Sequence, residues 1–494
     1  MAITADSRFE WKLTKPGRWE RDIDEVEEFY TSLAKAYEGT GRVFFAMTGF
    51  ISFSVSAEPG THFPDTEKRV EQALRNAWIR LRFDHPTIAS RVQYDPVQQK
   101  YKKTYQTFID SASQREWLED TFCVVTERMS GLDWCNSDPP VPALPTLFLV
   151  KAPASDDQTF RADLVLRSHH DIIDGMGTLL LFNNLFSLAA DAYEQTNYEL
   201  PKFGEEWTNL SPPLRVAAGM PASLSTEHEK QMQGILKHNA ALRDGIQIAS
   251  PPFKRQTALP GKHQRVAVTL SKKTTATLLE KCRNLGLSIT HAYHAAIALA
   301  VRDLQERKES DRMVRYISYC LVNERHHCKP PYSTSAHPAS VYHSVSGRCL
   351  AIDLTAPGLV SSNATTTDEE AFLRIAQHVR DYYLEIRDDR EYIKFVPSFW
   401  AMSIFPYPGP DPPAIPARNE TPSVSISSMG VLDKVIRHSY GSFSVDNPWV
   451  SGEELGTGLG VFLDTWKGRL TLSAAYNNAW HEKEEALNFL NRFT

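Results

Sequence analysis

Arg161-Ala-Asp-Leu-Val-Leu-Arg-Ser-His-His-Asp-Ile-Ile-Asp-Gly-Met-Gly177 is the stretch that decides how this chain folds. Ala162, Leu164 and Leu166 alternate with Asp163, Val165 and Arg167, which is the two-residue period of a strand. The strand then breaks into His169-His170, an acid four residues after the second histidine (Asp174), and the glycines Gly175 and Gly177. Beyond Gly177 the apolar spacing predicts a mostly buried helix. A side chain at the carboxyl end of a strand, on a short turn before a helix, is held rigidly at a domain edge.

Chemically the turn offers a base and an organising acid. Histidine titrates nearest neutrality, so it accepts a proton in a transition state and returns it later. Its tautomer must be fixed at the other ring nitrogen, and backbone carbonyls of the turn are the expected acceptors. No Gly-x-Ser-x-Gly nucleophile elbow occurs. The pattern therefore favours a base acting directly on a substrate hydroxyl or amine, without a covalent enzyme intermediate. The bland alternative is a turn in which Asp174-Gly175 supplies local turn chemistry and His169 merely packs. His169 is read as structural in either case.

The rest of the chain bounds the partners. At 494 residues it has room for two domains, each with its own core. An apolar content of 42% and a charged content of 23% are those of an ordinary globular protein. A net charge of -6 leaves no basic footprint, so nucleic acid is not an expected partner. No window resembles a membrane helix, and the first residues lack an apolar signal core. The expectation is a soluble, cytoplasmic monomer. Six cysteines without framework spacing predict free thiols. Cys320 and Cys328 flank His326-His327, with His337 and His343 following, but the spacing fits no common zinc pattern and no metal is expected.

In chain order, Asp22 to Leu33 predicts an acidic helix, Arg42 to Val55 a core strand, and Asp65 to Phe83 a helix ended by Asp84-His85-Pro86. Arg91 to Tyr101 predicts a hairpin, and Leu147 to Lys151 a strand beside Phe160 to Ser168, joined by a polar turn over Ala154 to Gln158. Prolines cluster between 201 and 261, which suits an inter-domain crossover around a helix from Ser225 to Asp244. The division is a first domain over 1–210, a linker over 211–262 and a second domain over 263–494. The second half begins with a strand at 263–270, a helix closed by Gly286, and a small-residue helix capped by Ser288. His291 and His294 on that helix are read as packed. Met313 to Val322 predicts one strand delivering Asn323 and Arg325. A polar loop over 361–367, a helix over 368–387, a proline-rich excursion over 406–422 and a serine-rich strand over 424–430 follow. A last strand over 469–476 and a helix over 482–489 close the chain.

His169-His170-Asp171-Ile172-Ile173-Asp174-Gly175 resembles the His-His-x-x-x-Asp-Gly signature of the CoA-dependent acyltransferase superfamily, which includes chloramphenicol acetyltransferase, plant BAHD enzymes and peptide-synthetase condensation domains. Three further stretches resemble the fungal secondary-metabolite branch typified by trichothecene 15-O-acetyltransferase. They are Glu205-Glu-Trp-Thr-Asn-Leu-Ser-Pro-Pro213, Leu321-Val-Asn-Glu-Arg325 and Trp466 to His481. The plant Asp-Phe-Gly-Trp-Gly motif is missing; Phe443 to Gly452 stands at a comparable place.

The resemblance implies an α/β fold of mixed sheets, in two chloramphenicol acetyltransferase-like domains with a tunnel between them. It implies that His170 is the base, that Asp174 and Gly175 shape the loop, and that Arg325, delivered with Asn323, pairs with Asp174. His85 is architectural in that pattern, and Ser427 is the candidate oxyanion donor. The implied reaction is transfer of an acyl group, acetyl first, from acyl-CoA to a hydroxyl of a hydrophobic metabolite such as a terpenoid or polyketide. Acetyl-CoA is then a co-substrate, with no tightly bound cofactor. Alternatives are a condensation-like enzyme using a carrier-borne donor or an amine acceptor, a donor-free cyclase or isomerase, and a non-catalytic metabolite binder.

Overall fold

The computed structural model describes residues 7–60, 62–127, 129–152, 158–254, 259–359, 368–405 and 414–493. The expected loop over 361–367, most of the turn over 154–158 and residues 406–413 of the proline-rich excursion lie outside them.

The motif strand, Thr159–Ser168, lies inside a six-stranded sheet between Met47–Ser56 and Thr146–Lys151. It runs antiparallel to Met47–Ser56 without a register break, from Met47 opposite Ser168 to Ser56 opposite Thr159. Its last five residues, Leu164 to Ser168, are all buried, because the sheet is covered on both faces at that end. Helices Phe63–Asp84 and Gly175–Glu194 share its main core, where Leu74, Trp78 and Leu81 meet Leu179, Phe182 and Phe186. Each such side chain contributes about 1.5–3 kcal/mol by leaving water. Gly49 lets the motif helix approach the sheet this closely: a Cβ there would lie 2.2 Å from the Thr178 methyl.

The second half has a mixed sheet ordered His263–Thr269, Arg469–Asn477, Leu459–Trp466, Val424–Val431, with the last pair parallel. Helices Lys272–Asn284, Ile289–Asp303, Asp368–Asp388 and Lys483–Asn491 contribute to its core. A third apolar cluster joins Val26, Tyr30 and Leu33 to Leu214, Tyr342, Phe395 and Trp400, so residues from both halves and from the 211–262 stretch pack together.

Two features differ from expectation. Met313 to Val322 is not one strand. Arg312–Ser318 pairs with Leu350–Ala356, whereas Leu321–Asn323 pairs with His343–Val345 in a separate two-stranded sheet. The chain changes partners at Tyr319–Cys320, and this turn brings Arg325 toward the first half. Second, Phe443–Gly452, numbered with the second half, pairs with Met47–Ser56 in the first half's sheet. Phe443, Val445 and Trp449 are buried there, with Trp449 stacked on Phe50 at 4.7 Å. All six cysteines are free thiols. Among the described residues no helix is long and apolar enough to cross a membrane.

Candidate active site

The sheet ends at Ser168, and the chain turns at once. The His169 carbonyl accepts the Ser168 hydroxyl at 2.9 Å and the Ile172 N–H at 3.3 Å. Asp174 then caps the motif helix, accepting the Gly177 N–H at 2.7 Å. Its other carboxylate oxygen accepts Arg325 Nη1 at 2.9 Å and the Tyr342 N–H at 2.8 Å. Burial alone would raise this carboxyl's pKa; Arg325, with His343 and the helix N–H, holds it below the usual range. Gly177 is required by this closure, since a Cβ there would stand 2.2 Å from the Pro338 carbonyl and 2.9 Å from Arg325 Nη2.

Arg325 is itself supported. Asn323 caps its short turn by accepting the Arg325 N–H at 3.2 Å, and Nη2 donates to Ser340 Oγ at 3.2 Å. The pairing of Asp174 with Arg325, implied by resemblance alone, is thus present as geometry.

His170 lies among aromatic rings. Its imidazole stacks on Tyr30 at 3.8 Å between centroids and 6° between planes, with the His343 ring 5.3 Å away. The Tyr30 hydroxyl and His343 Nε2 are hydrogen-bonded at 3.0 Å, and Trp400 lies 5.7 Å from the His343 ring. Burial, reinforced by His343, pushes the His170 pKa down to about 3; its own main chain and Asp174 pull it back only in part. The imidazole is therefore neutral near pH 7. Nδ1 is buried without a hydrogen bond of good geometry among the described residues, and the main-chain group that acts on the ring is the residue's own. Stacking against Tyr30 fixes the plane of the ring.

Tyr30 is held by buried charge. It lies on the Glu25–Ala36 helix, where Glu27 takes both Arg21 nitrogens at 2.7 Å and Lys103 Nζ at 2.5 Å. The same ammonium donates to the Asp171 carbonyl at 2.5 Å, and Thr31 Oγ1 donates to Asp171 Oδ2 at 2.9 Å. The helix bearing Tyr30 and the loop bearing His170 are therefore tied together twice. The Asp24–Glu27 capping box is legible in the sequence; the cross-chain partners of Tyr30, Lys103 and Trp400 carry no local signal.

The remaining candidates separate. His169 is half-buried and contributes its main chain to the turn. Gly175 opens the helix, with Met429 packed against it. Ser427 lies two residues from Met429, and its hydroxyl meets the Met429 sulfur at 3.6 Å. His85 bridges the Ala336 carbonyl and Asn184. His294 is buried against Tyr316, and His291 caps the start of its own helix. The scattered cysteine and histidine group does not assemble: His343 meets Tyr30, His337 meets Ser211, and the Cys328 thiol donates to the Glu324 carbonyl. Glu324, His326 and His327 do bring ligand-type atoms within 4.8 Å, but the Glu324 carboxylate already engages Ser344 and His327.

Comparison with known proteins defines the class. Over its full length the chain superposes on trichothecene 15-O-acetyltransferase TRI3 from Fusarium sporotrichioides, with a TM-score of 0.79 at 19% identity and 98% of that chain covered. It also matches the first condensation domain of the calcium-dependent antibiotic synthetase, with a TM-score of 0.61 at 12% identity, covering 96% of this chain and 94% of the other. The molecule is an acyltransferase of the CoA-dependent, condensation-like fold. More narrowly, it belongs to the family described as 15-O-acetyltransferase Tri3, whose sequence model matches residues 39–385. Among curated relatives, the O-acetyltransferase pigM of Monascus ruber is 25% identical over 486 residues, covering 97% of this chain and 85% of the relative. The family implies an acyl-CoA co-substrate.

Proposed function

We propose that this protein transfers an acetyl group from acetyl-CoA to a hydroxyl of a hydrophobic secondary metabolite, a terpenoid or polyketide, with His170 as general base and no acyl-enzyme. The observation that carries this reading is the neutral His170 imidazole on a loop locked by the Asp174–Arg325 pair. A neutral ring accepts the acceptor's proton as its oxygen attacks the thioester carbonyl. The C–O bond forms, the oxyanion collapses, the C–S bond breaks, and the imidazolium returns its proton to the departing thiolate. Asp174, Gly175, Arg325 and Asn323 act as positioning residues. Ser427 is not assigned the oxyanion role, because its hydroxyl is turned to Met429. The relatives support the acetyl group: pigM is named an O-acetyltransferase, and TRI3 a trichothecene 15-O-acetyltransferase.

Thiol release from acetyl-CoA with hydroxylated terpenoids and polyketides, wild type beside His170→Ala, tests this. Release that requires both the acceptor and His170, falling by about 10²-fold or more in the variant, is expected. Acceptor-dependent release undiminished in a folded His170→Ala protein would overturn it.

A further inference from the structure

The turn that carries Arg325 also sets down two histidines that the acyl-transfer reading does not use. It spans Glu324–His327, directly after Asn323, and its last two rings lie side by side with 3.9 Å between centroids. His326 Nδ1 meets the Asn323 carbonyl at 2.7 Å, and His327 Nδ1 meets Glu324 Oε2 at 2.7 Å. A carbonyl and an ionised carboxylate only accept hydrogen bonds, so the proton of each neutral imidazole sits on Nδ1. Each Nε2 is then a lone pair, and among the described residues neither has a hydrogen-bond partner. His326 is exposed and His327 half-buried, so solvent and its ions reach the pair.

Glu324 distinguishes this pair from other surface histidines. It is fully buried, its second oxygen takes the Ser344 hydroxyl, and among the described residues no lysine or arginine pairs with it. A buried carboxylate is costly without positive charge nearby, and its partner here is the His327 imidazole. A carboxylate that holds Nδ1–H while Nε2 stays free is the arrangement that orients a metal-ligating histidine and raises its basicity. A divalent cation on that Nε2 would place its charge one ring away from Glu324. Ligand-type atoms of Glu324, His326 and His327 already fall within 4.8 Å of one another. Two nitrogens on one zinc ion, each at about 2.1 Å, stand at most about 4.2 Å apart, a closure that rotation of the exposed His326 ring can supply. The exposed pairs His438–Asp433 and His228–Glu391 differ, because each spends Nε2 itself on the carboxylate.

We infer that His326 and His327 form a two-imidazole site for a divalent transition cation of the zinc class. Glu324, committed to Ser344 and His327, is the buried outer partner, and water completes the coordination. Imidazole nitrogen suits zinc, copper and nickel, whereas magnesium demands oxygen ligands. The site uses neither His170 nor Asp174, so it stands apart from the acyl-transfer reading.

Calorimetric titration of the untagged full chain with zinc chloride, and separately with magnesium chloride, tests this. Wild type should take up one zinc ion per chain in a saturable isotherm and show no magnesium binding. His326→Ala and His327→Ala should each abolish that isotherm, and Glu324→Gln should weaken it by about 10–100-fold, the usual cost of losing an outer-shell partner. His438→Ala and His170→Ala should bind zinc as wild type does, so the result stands whether or not His170 proves to be the base. No saturable zinc binding by wild type would overturn the site. So would binding that survives His326→Ala combined with His327→Ala, which is the mark of adventitious surface histidines only. Unchanged zinc affinity in a folded Glu324→Gln protein would overturn the role of Glu324. Because His326 is exposed, its variant tests the site even if Glu324→Gln does not fold.

Discussion

Glu453 and Glu454 are adjacent in sequence and opposite in circumstance. Glu453 meets Arg167 of the motif strand, behind the histidine loop, where carboxylates and cations are paired: Asp174 with Arg325, and Glu27 with Arg21 and Lys103. Glu454 faces an apolar cavity with two phenols and a backbone N–H. Saturated charge fixes geometry, because removing either partner leaves the other stranded in low dielectric. Glu454, with no cation beside it among the described residues, is pushed by burial to a pKa of about 7, so protonation relieves the cost of the charge. The same kind of residue is thus tied into the scaffold at one position and, among the described residues, left without a cation at the next.

The sharpest way to break that contrast is to unsaturate the scaffold. Arg325→Met leaves Asp174 buried without its cation and should cost about 3–5 kcal/mol in urea denaturation. Adding Asp174→Asn to the same chain should recover part of the loss, because the two residues form one unit. A loss below 1 kcal/mol would mean that solvent reaches the loop.

Lys103→Met strikes the strap between the Tyr30 helix and the histidine loop. A loss of about 2 kcal/mol is expected, since both the Glu27 carboxylate and the Asp171 carbonyl lose a charged donor. Tyr30→Phe is milder: it keeps the stack on His170 and removes only the hydroxyl bonded to His343, for about 1 kcal/mol.

The pH dependence of the base sharpens the same comparison. With its pKa depressed to about 3, His170 stays neutral well below the ordinary histidine value of 6.5, so kcat/KM should show no acid limb near pH 6.5. Tyr30→Ala, which admits water beside the ring, should bring that limb back. Imidazole resonances followed by NMR would show the same displacement.

The smallest effect belongs to Glu454. Burial raises its folded pKa from an ordinary 4.5 to about 7. Below 4.5 the folded and unfolded forms are both protonated, and the group is neutral with respect to stability. Between 4.5 and 7 the unfolded state gives up its proton first, and above 7 the full cost of the buried charge is present. Glu454→Gln keeps an acceptor for the Gly456 N–H, so its Tm should exceed wild type by about 2 °C or more at pH 8 and by little at pH 4.5. An equal gap at both values would show that Glu454 is well solvated.

Much of the fold was legible because it depends on local order. Alternation over Ala162 to Leu166, the Asp174 cap, the stop at His85-Pro86 and the Ser288 cap are each decided within a few residues. Long-range pairings were not. Nothing near Val322 signals that the chain leaves the sheet of Arg312–Ser318 at Tyr319, and nothing near Phe443 signals that it returns to the first half's sheet. Both steps depend on which strand edge is open in three dimensions.

The same division holds at the candidate site. The sequence by itself determined that a histidine pair ends a strand, that an acid caps the following helix, and that arginine arrives on a separate segment. These facts rest on period and spacing, and the Arg325 pairing rested on resemblance. Only the tertiary structure decided that Tyr30 stacks on His170, and that Lys103 ties its helix to the loop. Only the tertiary structure turned Ser427 toward Met429 and left Glu454, among the described residues, without a cation. Stacking, desolvation and charge pairing depend on what lies within a few ångströms, and residues hundreds of positions apart supply those neighbours.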